Sequence, residues 1–333
     1  MRFKGEIMRI EDMTTVGAIG SGTMGHAIAL EFAIHGYQVH LVDQSDRLLD
    51  HGLDLIRADA SEFASHGLLK EGEDVDDVLS RVSPFTDYHE ALAGVGYVTE
   101  SVAENMDVKH EVWLKAEEAA PTDAIFATNT SGLSPTKIAS VLAHPERFLV
   151  AHYWNPAHLM PLVEVVPGGK TSPKAVDATL GLLKAIGKKP ARLNKESLGF
   201  VGNRIQMAVL REAFHIVEEG IASAEDVDAI VKYSLGRRWS ILGPIASADL
   251  GGLDVFAAVS SYLFKDMDNG VDTPALLAEK VKEGHLGNKT GQGFYAWAGQ
   301  EGAKTMARRD EELMEALVRD SQESPKESQA AEG

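Results

Sequence analysis

Residues 14–43 read "TTVGAIG", "SGTMGHAIALEFAIHG" and "YQVHLVD". This run limits the fold more than any other part of the chain. A short apolar run of strand type comes first. Gly20, Gly22 and Gly25 follow in the spacing G-x-G-x-x-G and open a segment of helical periodicity that ends at Gly36. A second strand-like run ends at Asp43, 18 residues after Gly25. Later segments keep the same rhythm. Residues 46–67 read as a long polar helix; 95–101, 123–129, 147–153 and 161–166 as strands; 107–119 and 172–186 as helices. Strands alternating with helices imply an α/β fold with a Rossmann-type, doubly wound, mostly parallel sheet.

Each glycine has a separate task in such a turn. Gly20 permits the tight turn, Gly22 lets backbone approach a pyrophosphate, and Gly25 lets helix pack on strand. The helix N-terminus then turns its free N–H groups toward phosphate. Thr23 and Met24 lie in the same loop. A carboxylate at Asp43 suits adenosine ribose hydroxyls and repels a 2′-phosphate, so NAD rather than NADP is the expected cofactor. A glycine turn set by packing alone, beside an exposed Asp, is the plainer alternative. The order strand, glycines, helix, strand, acid argues against it.

After "KKPARLN" (188–194) the pattern changes, and helical segments follow at 198–220, 224–235, 252–264 and 273–283. The expected division is an N-terminal extension (1–13), an NAD-binding domain (14–195), an all-helical C-terminal domain for substrate and dimerisation (196–318) and a disordered polar tail (319–333). The apolar "IQMAVLREAFHIVEEGI" (205–221) points to a homodimer through the helical domain, with a buried intrachain helix as the alternative. A net charge of -18 argues against nucleic acid and anionic membranes as partners. The chain has no cysteine, which removes disulfides and thiolate chemistry. No apolar run is long enough to span a membrane, and the first residues lack a signal-peptide core. A cytoplasmic protein without a metal site is expected.

"AHYWNPAHLMPLVEVV" (151–166) places His152 at the end of one apolar run and Glu164 inside the next. A carboxylate within a buried strand is costly unless paired. His152 also sits at the carboxyl edge of the sheet, where ligands of open α/β sheets bind. Ser131, in "TNTSGL", follows another strand, and Asn203 lies in "LGFVGNR". A His–Glu pair that merely holds two strands is the bland reading. The company of Ser131 and Asn203 argues for chemistry.

Taken together, these motifs resemble the 3-hydroxyacyl-CoA dehydrogenase family over residues 14–297, ending with "GNKTGQGFYAW". The resemblance implies an NAD-dependent dehydrogenase acting on a CH–OH group. It makes His152 the general acid/base, Glu164 its partner, and Ser131 and Asn203 the holders of the substrate oxygen. Glu104, Lys109, Asn155 and Lys289 fall where the family contacts the nicotinamide half of the cofactor.

The chain departs from the CoA-ester enzymes in two places. Those enzymes bind CoA on the helix after the second strand, with a serine and a lysine in a lysine-rich segment. Here that helix carries Asp46, Asp50, Asp54, Asp59 and Glu62 against Arg47 and Arg57, with Asp59 in the serine's place and His66 in the lysine's. An acidic helix is a poor host for CoA phosphates, although charge runs are usually just solvated faces. The second departure is "YSLGRRWSILGP" (233–244), where the CoA-ester enzymes have an uncharged turn. It is similar to the free hydroxy-acid branch, the L-gulonate 3-dehydrogenases and carnitine dehydrogenases. Arg238, with Trp239 beside it and Arg237 as second choice, is then the candidate grip for a free carboxylate. A surface arginine pair is the alternative. The expected reaction is oxidation of the 3-hydroxyl of a short 3-hydroxy acid, or reduction of the 3-oxo acid. An (S)-3-hydroxyacyl-CoA (3-hydroxybutyryl-CoA) dehydrogenase is the first alternative. A non-catalytic, crystallin-like dinucleotide-binding protein is the second.

Overall fold

A computed structural model describes residues 7–330, with backbone alone for 323–330. The chain divides into two compact units. The first runs to Val201 and resumes at Arg309; the second is Gly202–Arg308.

The first unit is an eight-stranded sheet in the order β3-β2-β1-β4-β5-β6-β7-β8. The strands are β1 (Thr15–Ile19), β2 (Gln38–Val42), β3 (Val82–Phe85), β4 (Tyr97–Glu100), β5 (Ile125–Thr128), β6 (Phe148–Tyr153), β7 (Leu162–Pro167) and β8 (Lys189–Arg192). All neighbours pair in parallel except β6 and β7, which run antiparallel. Helices α1 (Gly25–Ile34), α2 (Asp46–Ser65), α3 (Val75–Leu79), α4 (Tyr88–Leu92), α5 (Met106–Ala119), α6 (Pro135–Ile138) and α7 (Pro173–Ala185) connect them. The reversal of order between β2-β1 and β4 creates the switch point at which ligands bind in such sheets.

Local chemistry explains the helix starts. Asn105 caps α5 by accepting from Asp107 N and Val108 N, and Ser172 with Pro173 starts α7. α1 has no side-chain cap. His26 N donates to the Gly22 carbonyl at 3.1 Å, and the other N–H groups of the first turn are open to a ligand. Along α2, Leu49, Gly52, Ile56, Ala60 and Phe63 form the buried stripe. The core lies on both faces of the sheet. One cluster joins β1, β2, α1, α2 and α7, and the other centres on Trp113, Phe126 and Phe148.

The second unit contains α8 (Gly202–Glu218), α9 (Ala224–Ile230), α10 (Gly236–Trp239), α11 (Pro244–Gly251), α12 (Leu253–Leu263), α13 (Ala275–Lys282) and the start of α14 (Gly299–Ala330). Phe214 stacks on Phe294 at 5.4 Å between ring centroids, and the Tyr295 hydroxyl donates to Asp228 at 2.7 Å. No apolar side chain of residues 202–308 is buried in the single chain.

The sequence pattern misses the short elements β3, β8, α3, α4, α6, α10 and α11, and also the long helix α14. The expected disordered tail differs more. Residues 319–330 continue α14, while 331–333 lie outside the described residues. From Arg309 on, α14 belongs to the first unit. Met314 is fully buried in that unit's core, with Leu313 and Leu317 beside it. No helix of the described residues is long and apolar enough to cross a membrane.

Candidate active site

The glycine turn is tightly determined. Gly20 has φ +95°, a left-handed conformation that favours glycine. A Cβ on Gly25 would lie 1.8 Å from the Gly20 carbonyl oxygen, so helix and strand approach at a distance only glycine allows. A Cβ on Gly22 would meet nothing within 4 Å. That openness is where backbone can meet a phosphate. Asp43 accepts from Ser21 N and Ser21 Oγ at 2.7 Å each on Oδ2, and from Gln44 N at 2.7 Å on Oδ1. A carboxylate offers about four lone-pair directions, so one on Oδ1 remains for a ribose hydroxyl. Gly20 and Asp43 line a 370 Å³ cavity with Thr86, Tyr88 and Val108. Burial, then the Asp43 charge, pushes the Tyr88 phenol up to about 12, which keeps it a neutral donor. These residues fit the adenosine half of NAD.

The second feature is His152. β6 and β7 place His152 directly opposite Glu164. His152 Nδ1 lies 2.9 Å from Glu164 Oε2, with the residues 5% and 2% exposed. Glu164 Oε1 accepts from Val201 N at 2.9 Å. A carboxylate accepts only, so Nδ1 carries the proton and Nε2 is left with its lone pair when the ring is neutral. The rings of Trp154 and Phe200 flank the imidazole at 5.6 and 5.5 Å. Phe200 adopts φ +53°, costly for a side chain of this size, just before the Val201 N–H that reaches Glu164.

A third group lies at the ends of β4 and β5. Glu104 accepts from the Thr130 hydroxyl and, at 3.1 Å, from the Ser131 backbone N–H. Lys109 is buried between Glu100 (2.7 Å) and Glu104 (3.6 Å). Glu100, fully buried, also accepts from Trp113 Nε1, the Thr128 hydroxyl and Val102 N. Its four donors settle a carboxylate that sequence reasoning passed over. Asn129 Oδ1 accepts from Tyr153 N at 2.8 Å and ties the end of β5 to that of β6. Asn155 is exposed in the loop after β6.

The first unit thus holds Gly20, Gly22, Thr23, Met24, Gly25, Asp43, Glu104, Lys109, Ser131, His152, Asn155 and Glu164. The remaining expected residues belong to the second unit. Asn203 opens α8, Arg238 is exposed on α10 beside half-buried Trp239, and Lys289 lines a 510 Å³ cavity with Phe214, Phe294 and Tyr295.

Comparison with known proteins agrees with this geometry. Residues 15–197 match the family description "3-hydroxyacyl-CoA dehydrogenase, NAD binding domain", and 199–297 match "3-hydroxyacyl-CoA dehydrogenase, C-terminal domain". The chain is similar to a 5-formyl-3-hydroxy-2-methylpyridine 4-carboxylate 5-dehydrogenase of Mesorhizobium japonicum, 32% identical over 300 residues, covering 90% of this chain and 96% of that one. It is 36% identical over 281 residues to a 3-hydroxybutyryl-CoA dehydrogenase of Clostridioides difficile, covering 84% and 98%. A solved structure of a 5-formyl-3-hydroxy-2-methylpyridine 4-carboxylic acid 5-dehydrogenase, described as an NAD+-dependent dismutase, matches with TM-score 0.86 at 30% identity, covering 93% of this chain and 99% of that one. A glycine turn built for a dinucleotide, a buried histidine opposite a glutamate and family matches over both halves lead to one assignment: this chain belongs to the 3-hydroxyacyl-CoA dehydrogenase family and is an NAD-dependent dehydrogenase acting on CH–OH groups.

Proposed function

We propose that the protein oxidises the 3-hydroxyl of a short free hydroxy acid, or reduces the matching 3-oxo acid, with His152 as general acid/base and Glu164 as its partner. The contact between His152 Nδ1 and Glu164 Oε2 at 2.9 Å carries this reading. With Nδ1–H donated to Glu164, Nε2 is the nitrogen that takes the alcohol proton. Glu164 holds the tautomer and balances the positive charge that the ring acquires. Bound NAD supplies the hydride acceptor. Trp154 and Phe200 keep water from the flanks of the imidazole. Ser131 and Asn203 hold the substrate oxygen, and Glu104, Lys109, Asn155 and Lys289 serve the nicotinamide half.

The choice of a free acid rests on α2 and α14. The two positions that CoA-ester enzymes give to CoA are both engaged within this chain. Asp59 lies against His26 and His158, and His66 Nε2 faces Glu311 of α14 at 3.4 Å. Asp46, Asp50 and Asp54 are exposed on the same helix and repel phosphate. The name of the Mesorhizobium relative carries a free carboxylate and no thioester. Arg238 is the proposed cation for that carboxylate. We further infer a homodimer, because residues 202–308 bury no apolar side chain of their own while Ile205, Met207 and Val209 are exposed along α8. A second copy supplies the missing cover.

A panel of free 3-hydroxy acids and their CoA esters, followed by NADH absorbance, tests the substrate. Free acids are expected to give the higher kcat/KM, and Arg238→Met to raise their KM about tenfold, the loss of a charge-assisted bidentate contact. Better CoA esters, insensitive to Arg238→Met, would promote the (S)-3-hydroxyacyl-CoA reading, which the 3-hydroxybutyryl-CoA dehydrogenase relative favours.

A further inference from the structure

Away from the His152–Glu164 pair, three side chains from separate segments converge. His26 lies in the first turn of α1, Asp59 on α2, and His158 in the loop joining β6 to β7. Their side chains are 8%, 18% and 12% exposed. His26 Nδ1 is 2.8 Å from the Gly22 carbonyl oxygen. A carbonyl only accepts, so Nδ1 carries the proton, and in a neutral ring Nε2 points its lone pair outward. That lone pair faces Asp59 Oδ2 at 3.1 Å. His158 Nδ1 is 3.4 Å from the same oxygen. It lacks hydrogen-bond geometry to that oxygen and is buried with no hydrogen-bond partner. The three ligand atoms lie within 4.8 Å of one another. Three electron-rich atoms so placed call for a cation between them.

We propose that His26, Asp59 and His158 form a binding site for a divalent transition-metal ion of the zinc class. Two imidazoles and one carboxylate form a donor set suited to such ions, whereas magnesium and calcium take oxygen ligands. Bonds of about 2.0–2.2 Å at tetrahedral angles set neighbouring ligand atoms roughly 3.3 Å apart. The contacts to Asp59 Oδ2, 3.1 and 3.4 Å, straddle that spacing. The outer shell is in place as well. The Gly22 carbonyl fixes the tautomer and ring direction of His26. Lys188 Nζ, held by Glu31 at 3.1 Å, donates to the Ala157 and Met160 carbonyls on either side of His158. The rival occupant is a proton, giving an imidazolium at His26 paired with Asp59. One proton there serves a single contact and leaves His158 Nδ1 without a partner; a metal serves all three ligands.

The site ties together three segments. α1 begins at the glycine turn, α2 follows Asp43, and the His158 loop separates His152 from Glu164. A metal at this point is a staple for the scaffold of both the cofactor turn and the acid/base pair, with no part in the chemistry itself.

The untagged full chain, freed of metal with a chelator, tests the proposal by titration with zinc in a calorimeter and with cobalt in a spectrophotometer. The expected result is one zinc per chain and visible cobalt bands of a low-symmetry, four-coordinate site. At a hundredfold excess over Kd, linkage predicts a Tm rise of roughly 5–10 °C. Asp59→Asn and His158→Gln should each weaken zinc binding by about 100-fold or more. Circular dichroism confirms folding, and His158→Gln, in a loop, decides the matter if Asp59→Asn does not fold. Absence of tight binding, or zinc binding unchanged in these variants, overturns the proposal and leaves only the imidazolium–carboxylate pair.

Discussion

Glu164→Gln separates a structural acid from a functional one. Glu164 is 2% exposed and accepts on both oxygens, from His152 Nδ1–H on one and from Val201 N–H on the other, each at 2.9 Å. Glutamine keeps the shape but has a single carbonyl oxygen. Whichever donor it serves, the other faces an NH2 group, and a buried orphan donor costs about 1–3 kcal/mol of stability. The rate should fall further than stability. The neutral amide does not balance the charge that His152 gains when it takes the alcohol proton. Loss of general-base assistance costs about 10²–10⁴ in rate, or roughly 2.7–5.4 kcal/mol of barrier. The assay is steady-state NADH production at saturating NAD, with NAD affinity measured separately by fluorescence and stability by denaturant titration. The expected outcome is a kcat lowered at least about 10²-fold, NAD affinity within a factor of two, and a modest loss of stability. A variant that turns over within threefold of the parent while folded and binding NAD refutes the acid/base assignment.

Three further outcomes follow from the geometry. Asp43→Ala should raise the KM for NAD about tenfold and narrow the preference for NAD over NADP, because a charged hydrogen bond of about 1.5–3 kcal/mol is lost; unchanged kcat/KM for both cofactors would contradict it. Lys109→Met removes the ammonium 2.7 Å from fully buried Glu100, and denaturant titration should register about 3–5 kcal/mol of destabilisation for the uncompensated charge, against nearly none if water reaches Glu100. Met314→Ala should cost about 2–5 kcal/mol, since Met314 is buried in the core of the first unit; a loss below 0.5 kcal/mol, the ordinary range for a surface change, would show that α14 does not pack there.

The readable parts of this chain are those whose demands are local. Gly20, Gly22 and Gly25 state theirs within six residues, and the 1.8 Å approach at Gly25 is the physical reason for the third glycine. His152 and Glu164 are readable because two antiparallel neighbours set residues twelve apart in direct opposition. The same clue, a carboxylate inside a strand-like run, also marks Glu100 in "YVTE". Its donors come from α5, β5 and the chain after β4, at no fixed spacing. The need for partners is therefore legible while their identity is not. The four-residue strands β3, "VSPF", and β8, "KPAR", are broken by a proline and polar residues and carry no apolar run, whereas the equally short β4 and β5 are buried throughout and read as strands. The polar composition of 319–333 argues for disorder, yet α14 runs to Ala330, anchored upstream by Leu313, Met314 and Leu317, whose spacing sets one apolar face on the core.

The acidic helix α2 shows how periodicity outweighs composition. Counting charges treats Asp46, Asp50, Asp54 and Asp59 alike. Their positions on the helix do not. Asp59 is three residues after Ile56 and four before Phe63, both buried. Residues at those separations share a helix face, so Asp59 lies at the margin of the buried stripe. Asp50 and Asp54 share a face with Arg57 and Ser61, all exposed. A carboxylate at the edge of an apolar stripe must find donors or a cation, and one on the opposite face needs only water. In this fold the groups that reach Asp59 are His26, from the helix behind the glycine turn, and His158, from the loop between β6 and β7. The helix therefore has two chemistries on two faces. The outward acids meet water, and the inward acid fastens α2 to the helix behind the glycine turn and to the loop between β6 and β7.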